Sequence, residues 1–299
     1  MTPRDHDPVL ADALEARLLS GLSGAGVYLM TRDGRHWFVR KAARDAASSA
    51  RLRGQAARQA RFQAAGLTTP RILGEGDHDG RFFFDMELVR GLDAASWLRR
   101  ATLAEVRSFG DRLCAYLEAA ATTPALATAP APGLFEAIYA KLCQVAAHPA
   151  GARMAPEVLA QLFLALDRVR RLGPRAPTLC HGDLTLENIV VGEGGQLTVL
   201  DLLDAPYEHY WQDVAKLHQD LAGGWYLLTQ PRIAASVLDH LSRRLCATAT
   251  RLDPGYPEVH ALLLAATFVR ILPYARDDAE RAFVAARIDH FTSLLRTTP

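Results

Sequence analysis

Long apolar runs are absent from this 299-residue chain. No stretch reaches the ~18 consecutive apolar residues of a membrane-spanning helix, so no span and no membrane partner are expected. The opening segment MTPRDHDPVLADALEARLL is interrupted by Arg4, Asp5, Asp7, Asp12 and Glu15 and lacks the apolar centre of a secretion signal. Cysteine is scarce: Cys114, Cys143, Cys180 and Cys246 lie far apart, without metal-ligand spacing. They read as reduced core thiols, and together with the missing signal they make the cytoplasm the expected location. An excess of either charge is also lacking, with 34 Lys+Arg against 33 Asp+Glu and a net charge of +1. A polyanion such as nucleic acid is therefore not an expected partner, and the cluster Arg51, Arg53, Arg58 and Arg61 reads as the solvated face of a helix. Neither an internal repeat nor a low-complexity domain is present. Nothing in the sequence speaks to oligomeric state.

What is present is an ordinary globular balance, 49% hydrophobic and 22% charged. Leu10, Leu14 and Leu18 are spaced as on a helix, which predicts a helix over Asp7–Leu19. Asp33-Gly34 between two β-rich runs predicts a hairpin, and RILGEGD with RFFFDMELV a second strand pair. Between them Ala43–Ala65 is Ala-, Arg- and Gln-rich and predicts a helix stopped at Gly66. After Gly91 the character changes. Helical patterns cover Leu103–Ala121, Leu134–Ala147 and Pro156–Leu172, a Pro/Ala-rich connector fills 121–133, and three or four more helices follow from Trp211. The expectation is an α+β chain in two lobes: residues 1–90 mainly sheet, residues 91–299 mainly helical and carrying a catalytic hairpin, with the linker near 88–95.

The stretch CHGDLTLENIVV, residues 180–191, places a His, two acids and an Asn beside a strand-like run. Gly194-Gly195 then separates two β-rich runs and can supply the positive φ angles of a tight turn. A two-residue turn there sets Asn188 opposite Asp201, with Cα atoms within about 5.5 Å. An amide oxygen beside a carboxylate is a hard-oxygen pair suited to Mg²⁺, which completes its shell with phosphate oxygens and water. Asp183, on the loop entering the hairpin, can accept a proton from an attacking hydroxyl or orient it.

The run His181-Gly182-Asp183, Asn188, and then Leu200-Asp201 with Asp204 resembles the aminoglycoside phosphotransferase/choline kinase family, across roughly residues 20–220. The resemblance implies a bilobal protein-kinase-like fold. It implies Asp183 as catalytic base, Asn188 and Asp201 as metal ligands, His181 as a loop brace and Asp213 as the helix Asp that braces the catalytic loop's backbone. The implied cofactors are Mg²⁺ and ATP, with GTP as the alternative nucleotide. GLSGAGVYLM resembles the nucleotide loop, where Gly21, Gly24 and Gly26 would let amides approach phosphates. Lys41, on the next strand, would meet the α/β-phosphates. The Glu that normally pairs with this Lys is missing: no acid lies between Asp45 and Glu75. The matching position is about Gln55, leaving Gln55, Asp45 or phosphate alone as the partner. FFFDMELVRG resembles the segment linking the lobes, with the Glu87–Val89 backbone at the adenine edge and Met86 packed nearby.

The function implied is an ATP-dependent small-molecule kinase with a hydroxyl acceptor. Asp204, Tyr207, Glu208, His218, Trp225, Arg270 and Tyr274 are candidates to line the acceptor. The last hundred residues carry mixed charge, which disfavours a polycationic aminoglycoside and leaves a sugar or related polyol as the preferred acceptor. Choline or another amino alcohol is the alternative, since Trp211, Trp225 and Tyr226 could cage a quaternary amine. A protein kinase is disfavoured because only about ten residues separate Asp201 from the helix of Asp213, leaving no room for an activation segment. A non-catalytic nucleotide-binding or regulatory module on the same fold is the rival from another class.

Overall fold

Alternation along one strand organises the N-terminal part of the chain. In β3 (Trp37–Ala43), Val39 and Ala43 point to one face and Phe38 to the other. Val39 packs with Leu52 and Ala56 of α1 (Ala46–Arg61) and with Phe82, Phe84 and Met86. Phe38 packs instead with Leu10, Ala13, Ala16 and Met30. The sheet that divides these two clusters is antiparallel, in the order β1-β2-β3-β5-β4, with β1 Glu15–Leu19, β2 Ala25–Thr31, β4 Ile72–His78 and β5 Arg81–Glu87. The computed structural model describes residues 7–19, 25–126, 132–151, 154–205 and 207–297.

Two expectations are corrected here. Asp7–Leu19 is not a helix. A 3-10 turn covers Pro8–Leu10, and β1 then pairs with β2 from Glu15↔Thr31 to Leu19↔Val27. Leu14 and Leu18 are exposed, so their helical spacing marks no buried face, and the free edge of β2 satisfies the backbone instead. The helix α1 also stops before Gly66. It begins on the Asp45 capping box and ends at Arg61, with Phe62 already extended.

Contacts group the chain into two units. The first gathers residues up to Gln63, Leu67–Leu92 and Val190–Leu203; the second holds Ala64–Gly66, Asp93–Ile189 and Asp204 onward. The hairpin strands β7 (Ile189–Val191) and β8 (Leu197–Val199) follow the short β6 (Leu92–Asp93) in a three-stranded sheet ordered β6-β7-β8. Thr68 fastens β8 within the first unit, donating its N–H to Leu197 O and accepting from Val199 N, at 2.9 and 2.7 Å. The turn differs from the two-residue form expected. Gly194 and Gly195 do take positive φ, 65° and 75°. However, Gly192 N–H donates to Gln196 O at 2.9 Å, making a longer loop that displaces one strand by a residue relative to the other.

The second unit is helical: α2 Ala94–Leu98, α3 Leu103–Thr122, α4 Leu134–Ala146, α5 Pro156–Leu172, α6 Tyr210–Leu221, α7 Ala235–Leu252, α8 Tyr256–Ile271 and α9 Asp278–Thr297. The Thr102/Glu105 capping box starts α3, and Pro156 starts α5. Burial on nearly every side of α8, through Val259, Leu262, Leu263, Leu264, Ala265, Phe268 and Val269, makes it the central helix. No helix of the described residues is long and apolar enough to cross a membrane.

Candidate active site

A buried lysine stands out within the first unit. Lys41, paired with Val27 and Phe84 across the ladders of β3, is only 2% exposed. A buried ammonium needs partners. Its Nζ donates to Gln55 Oε1 of α1 at 2.9 Å and to Asp201 Oδ1 at 2.8 Å. The partner that the sequence left open is therefore Gln55 together with Asp201. Asp45 is occupied at the helix start, accepting from Ser48 N at 2.7 Å. Asp201 follows β8 with φ 60°, a left-handed conformation uncommon for a non-glycine residue. Such a local cost persists where the surroundings hold the residue in place, and here the ion pair to Lys41 does so.

In the second unit the chemistry hangs on α6. Every residue of this helix is buried, yet it carries Gln212, Asp213, Lys216, His218, Gln219 and Asp220. Buried polar groups must find partners, and three of these, at i, i+3 and i+7, point to one stretch of loop. Asp213 accepts His181 N–H at 2.7 Å and Gly182 N–H at 2.9 Å, with the Tyr116 hydroxyl as a third donor. Lys216 Nζ lies 2.8 Å from Asp183 Oδ1. Asp220 accepts Leu186 N–H at 2.7 Å and Tyr226 N–H at 3.0 Å. The loop from His181 to Asn188 is thus pinned at both ends and its acid is paired in the middle. The sequence reading took Asp213 from the family pattern but missed Lys216 and Asp220. The spacing D-x-x-K-x-x-x-D on a helix was the available signal.

Asp183 keeps about a quarter of its side chain exposed. Burial works to raise its carboxyl pKa, but the charges of Lys216 and then Arg270 outweigh this and hold it below the ordinary value. Burial also pushes the Lys216 ammonium down, with Asp183 opposing. Asp220, fully buried, is pushed up to about 7. His181 accepts the Asp183 N–H through Nδ1 at 3.2 Å. Asn188 donates from Nδ2 to Asp183 O at 2.8 Å and Oδ2 at 3.3 Å, which turns its Oδ1 the other way. That oxygen is a hard donor of the kind Mg²⁺ takes, and so, within the first unit, is the Asp201 Oδ2 not used by Lys41.

The nucleotide candidates divide. Gly21 and Gly24 lie outside the described residues. Gly26 is not a loop residue but a member of β2, paired with Ala42. A Cβ on it would lie 2.7 Å from the Tyr28 ring, so its small size makes room for that neighbour. Met86 is buried in the β-sheet core, its sulfur 3.6 Å from Gln59 Nε2. The Glu87 amide is engaged by Arg71 O at 3.0 Å. Val89 lies past the last ladder pair of β5, which is Phe38↔Glu87.

The acceptor candidates divide too. Tyr207 and Arg270 line one cavity with Ile138, Lys141, Gln212 and Thr267, and Arg270 reaches within 3.8 Å of Asp183. Burial raises the Tyr207 phenol pKa. Asp204 is exposed. The other four candidates do not line that cavity. Glu208 is buried, accepting from Ala205 N at 3.4 Å and from the Cys180 thiol at 3.7 Å. His218 turns to α7 and α8, its Nε2 3.3 Å from Cys246. Trp225 packs on Phe268 and Phe283, with ring centroids 6.5 and 6.4 Å away. Tyr274 is 70% exposed, because Pro273 ends α8 in a 3-10 turn and breaks its i, i+4 relation to Arg270.

A small antiparallel sheet unit, a helical unit, and a braced His-Gly-Asp loop leading through Asn to a strand pair define a phosphotransferase of protein-kinase-like fold. The phosphotransferase enzyme family model, APH, matches residues 15–262, and the chain belongs to that family. Its members are enzymes that transfer a phosphoryl group to an alcohol acceptor. Solved structures agree on the fold. Aminoglycoside phosphotransferase APH(4)-Ia is 14% identical with a TM-score of 0.66, covering 95% of each chain. The GDP and kanamycin complex of APH(2")-IIia is 15% identical with a TM-score of 0.69, covering 96% of this chain and 97% of that one. A protein of Thermobifida fusca YX-ER1, provisionally assigned as a fructosamine-3-kinase, is 19% identical with a TM-score of 0.64, covering 95% and 94%. No curated protein matches the chain.

Proposed function

We propose that the chain transfers the γ-phosphoryl group of Mg-ATP to a hydroxyl of a sugar or related polyol. The observation that carries this is the Asp183 carboxylate: ionised, partly exposed, and fixed on a loop whose backbone is bonded to two buried aspartates. Such a group can accept the acceptor hydroxyl's proton, or orient that hydroxyl, as phosphoryl transfer proceeds. Lys41 contacts the nucleotide phosphates, and Val89 offers its backbone to the adenine. Asn188 and Asp201 supply oxygen ligands to Mg²⁺, which when bound neutralises the charge of the β- and γ-phosphates. Positioning and electrostatics then supply most of the acceleration.

The acceptor class rests on the cavity beside Arg270. Its polar lining is Tyr207, Gln212, Thr267, Lys141 and Arg270, without a carboxylate. Burial and the neighbouring Arg270 hold the Lys141 ammonium pKa below its usual value. Two cations repel a polycationic aminoglycoside or a quaternary amine, whereas hydroxyl-rich or anionic acceptors find donors there. The test is a screen of purified protein with ATP and with GTP against a library of hydroxyl compounds. Nucleoside diphosphate release is the readout, and products are identified by mass spectrometry. Sugars and polyols are the expected hits. Turnover confined to aminoglycosides or choline would overturn the acceptor class. No stabilisation by ATP, with or without Mg²⁺, would favour the regulatory module.

A further inference from the structure

Three helices of the second unit each turn one metal-competent atom to a common point that phosphoryl transfer does not use. His218 of α6, Cys246 of α7 and His260 of α8 bring their ligand atoms within 4.8 Å of one another. Cys246 Sγ is 3.3 Å from His218 Nε2 and 3.8 Å from His260 Nε2. A tetrahedral zinc, with Zn–S of about 2.3 Å and Zn–N of about 2.0–2.1 Å, sets sulfur and nitrogen roughly 3.5 Å apart. On α6, His218 lies about 200° round the helix from Lys216, so this cluster faces away from the Asp183 loop.

The hydrogen bonds around the cluster orient lone pairs inward. His218 Nδ1 donates to Val214 O at 2.8 Å, which leaves Nε2 as the bare nitrogen. Ser242 O, 3.3 Å from Nε2, competes as an acceptor for the single ring proton, and the shorter bond at Nδ1 favours the tautomer that leaves Nε2 bare. His260 Nδ1 is 2.7 Å from the Tyr256 hydroxyl; donating there leaves its Nε2 lone pair toward Cys246. Ring nitrogens fixed in this way by a carbonyl or hydroxyl are the usual support of a metal-bound imidazole. Cys246 and His260 are half-buried, and His218 is buried.

We propose that His218 Nε2, Cys246 Sγ and His260 Nε2 form a zinc-class site with water as fourth ligand, joining α6, α7 and α8. As the Zn–S bond forms, the Cys246 thiol releases its proton to solvent, and no change of oxidation state is involved. One thiolate with two imidazoles selects Zn²⁺ over Mg²⁺, so this ion is distinct from the one at the phosphates. The ligands lie 28 and 14 residues apart on separate helices, which is why linear cysteine spacing gave no sign of them.

The experiment uses the full chain, stripped by chelator and titrated with Co²⁺ and then Zn²⁺. One Co²⁺ per chain should produce a thiolate-to-cobalt charge-transfer band in the near-ultraviolet and tetrahedral d–d bands, which Zn²⁺ then abolishes. Cys246→Ser should lose the charge-transfer band, while Asp201→Asn should keep it because no thiol lies at the phosphate site. Zn²⁺ at a hundredfold excess over its Kd should raise the unfolding midpoint of the wild-type chain by about 5 °C. Absence of the band in the wild-type chain at stoichiometric Co²⁺ overturns the proposal without reference to any variant. Persistence of the band in a folded Cys246→Ser protein overturns it equally.

Discussion

Lys41 and Asp183 are both charged groups drawn out of water, and the chain holds them by different means. Lys41 stands on a central strand, so register places it, and one carboxylate and one neutral amide complete its surroundings. Asp183 stands on a loop with no ladder of its own, and a single buried helix supplies its order through Asp213, Lys216 and Asp220. A sheet positions by its repeat and tolerates a substitute partner. A loop has no repeat, so its geometry depends on side chains that leave orphaned amides when removed.

That contrast can be broken at several points. The largest effect belongs to Asp183→Asn, which should cut transfer by roughly a thousandfold or more while ATP still raises the unfolding midpoint. Activity within twofold of wild type would mean that the base is elsewhere. Asp213→Ala strands two amides and a phenol, and should cost roughly 3 kcal/mol or more in denaturant unfolding. A loss below about 1 kcal/mol would mean the loop holds itself. Lys41→Met should lower kcat/KM by about a hundredfold.

Lys216→Met tests the pairing through pH. The Lys216 charge is the largest influence holding the Asp183 carboxyl down against burial. Without it the carboxylate takes its proton at higher pH, so the acid limb of the kcat/KM profile should move upward. An unmoved limb would reduce Lys216 to a packing residue. The smallest change expected is in Gln55→Ala: loss of one neutral hydrogen bond to an ammonium, about 1 kcal/mol or fivefold in the Kd for Mg-ATP by calorimetry. A hundredfold loss there would show that the amide stands in fully for a carboxylate.

Much of this arrangement was legible in the sequence. The motif from His181 to Asn188 and the boundaries of α3, α4 and α5 follow from spacing and punctuation, because local chemistry decides them. The departure at Gln55 was legible as well, since a missing acid can be counted. What escaped depended on packing. Leu10, Leu14 and Leu18 matched a helix by period, but an unpaired strand edge decided β1. Lys216 and His218 are neighbours in a run rich in polar and aromatic residues, and only the burial of α6 on all sides separates them, one to the loop and one to Cys246. The hairpin turn escaped for a subtler reason: two glycines allow both a short and a longer turn, and the hydrogen bond from Gly192 to Gln196 chose between them.

Beside Lys41, on the opposite face of β3, Arg40 is buried with both Asp85 oxygens at 2.6 and 2.8 Å, both Asp12 oxygens at 2.6 and 3.0 Å, and Val9 O at 2.6 Å. Two adjacent cations thus face opposite ways, and a slip of one residue would exchange them. Net charge on each face would not change, but a single ammonium cannot span the oxygens that a planar guanidinium bridges. The strand therefore carries its own proofreading: shape, rather than sign of charge, rejects the wrong alignment and keeps a lysine on the side of Gln55 and Asp201.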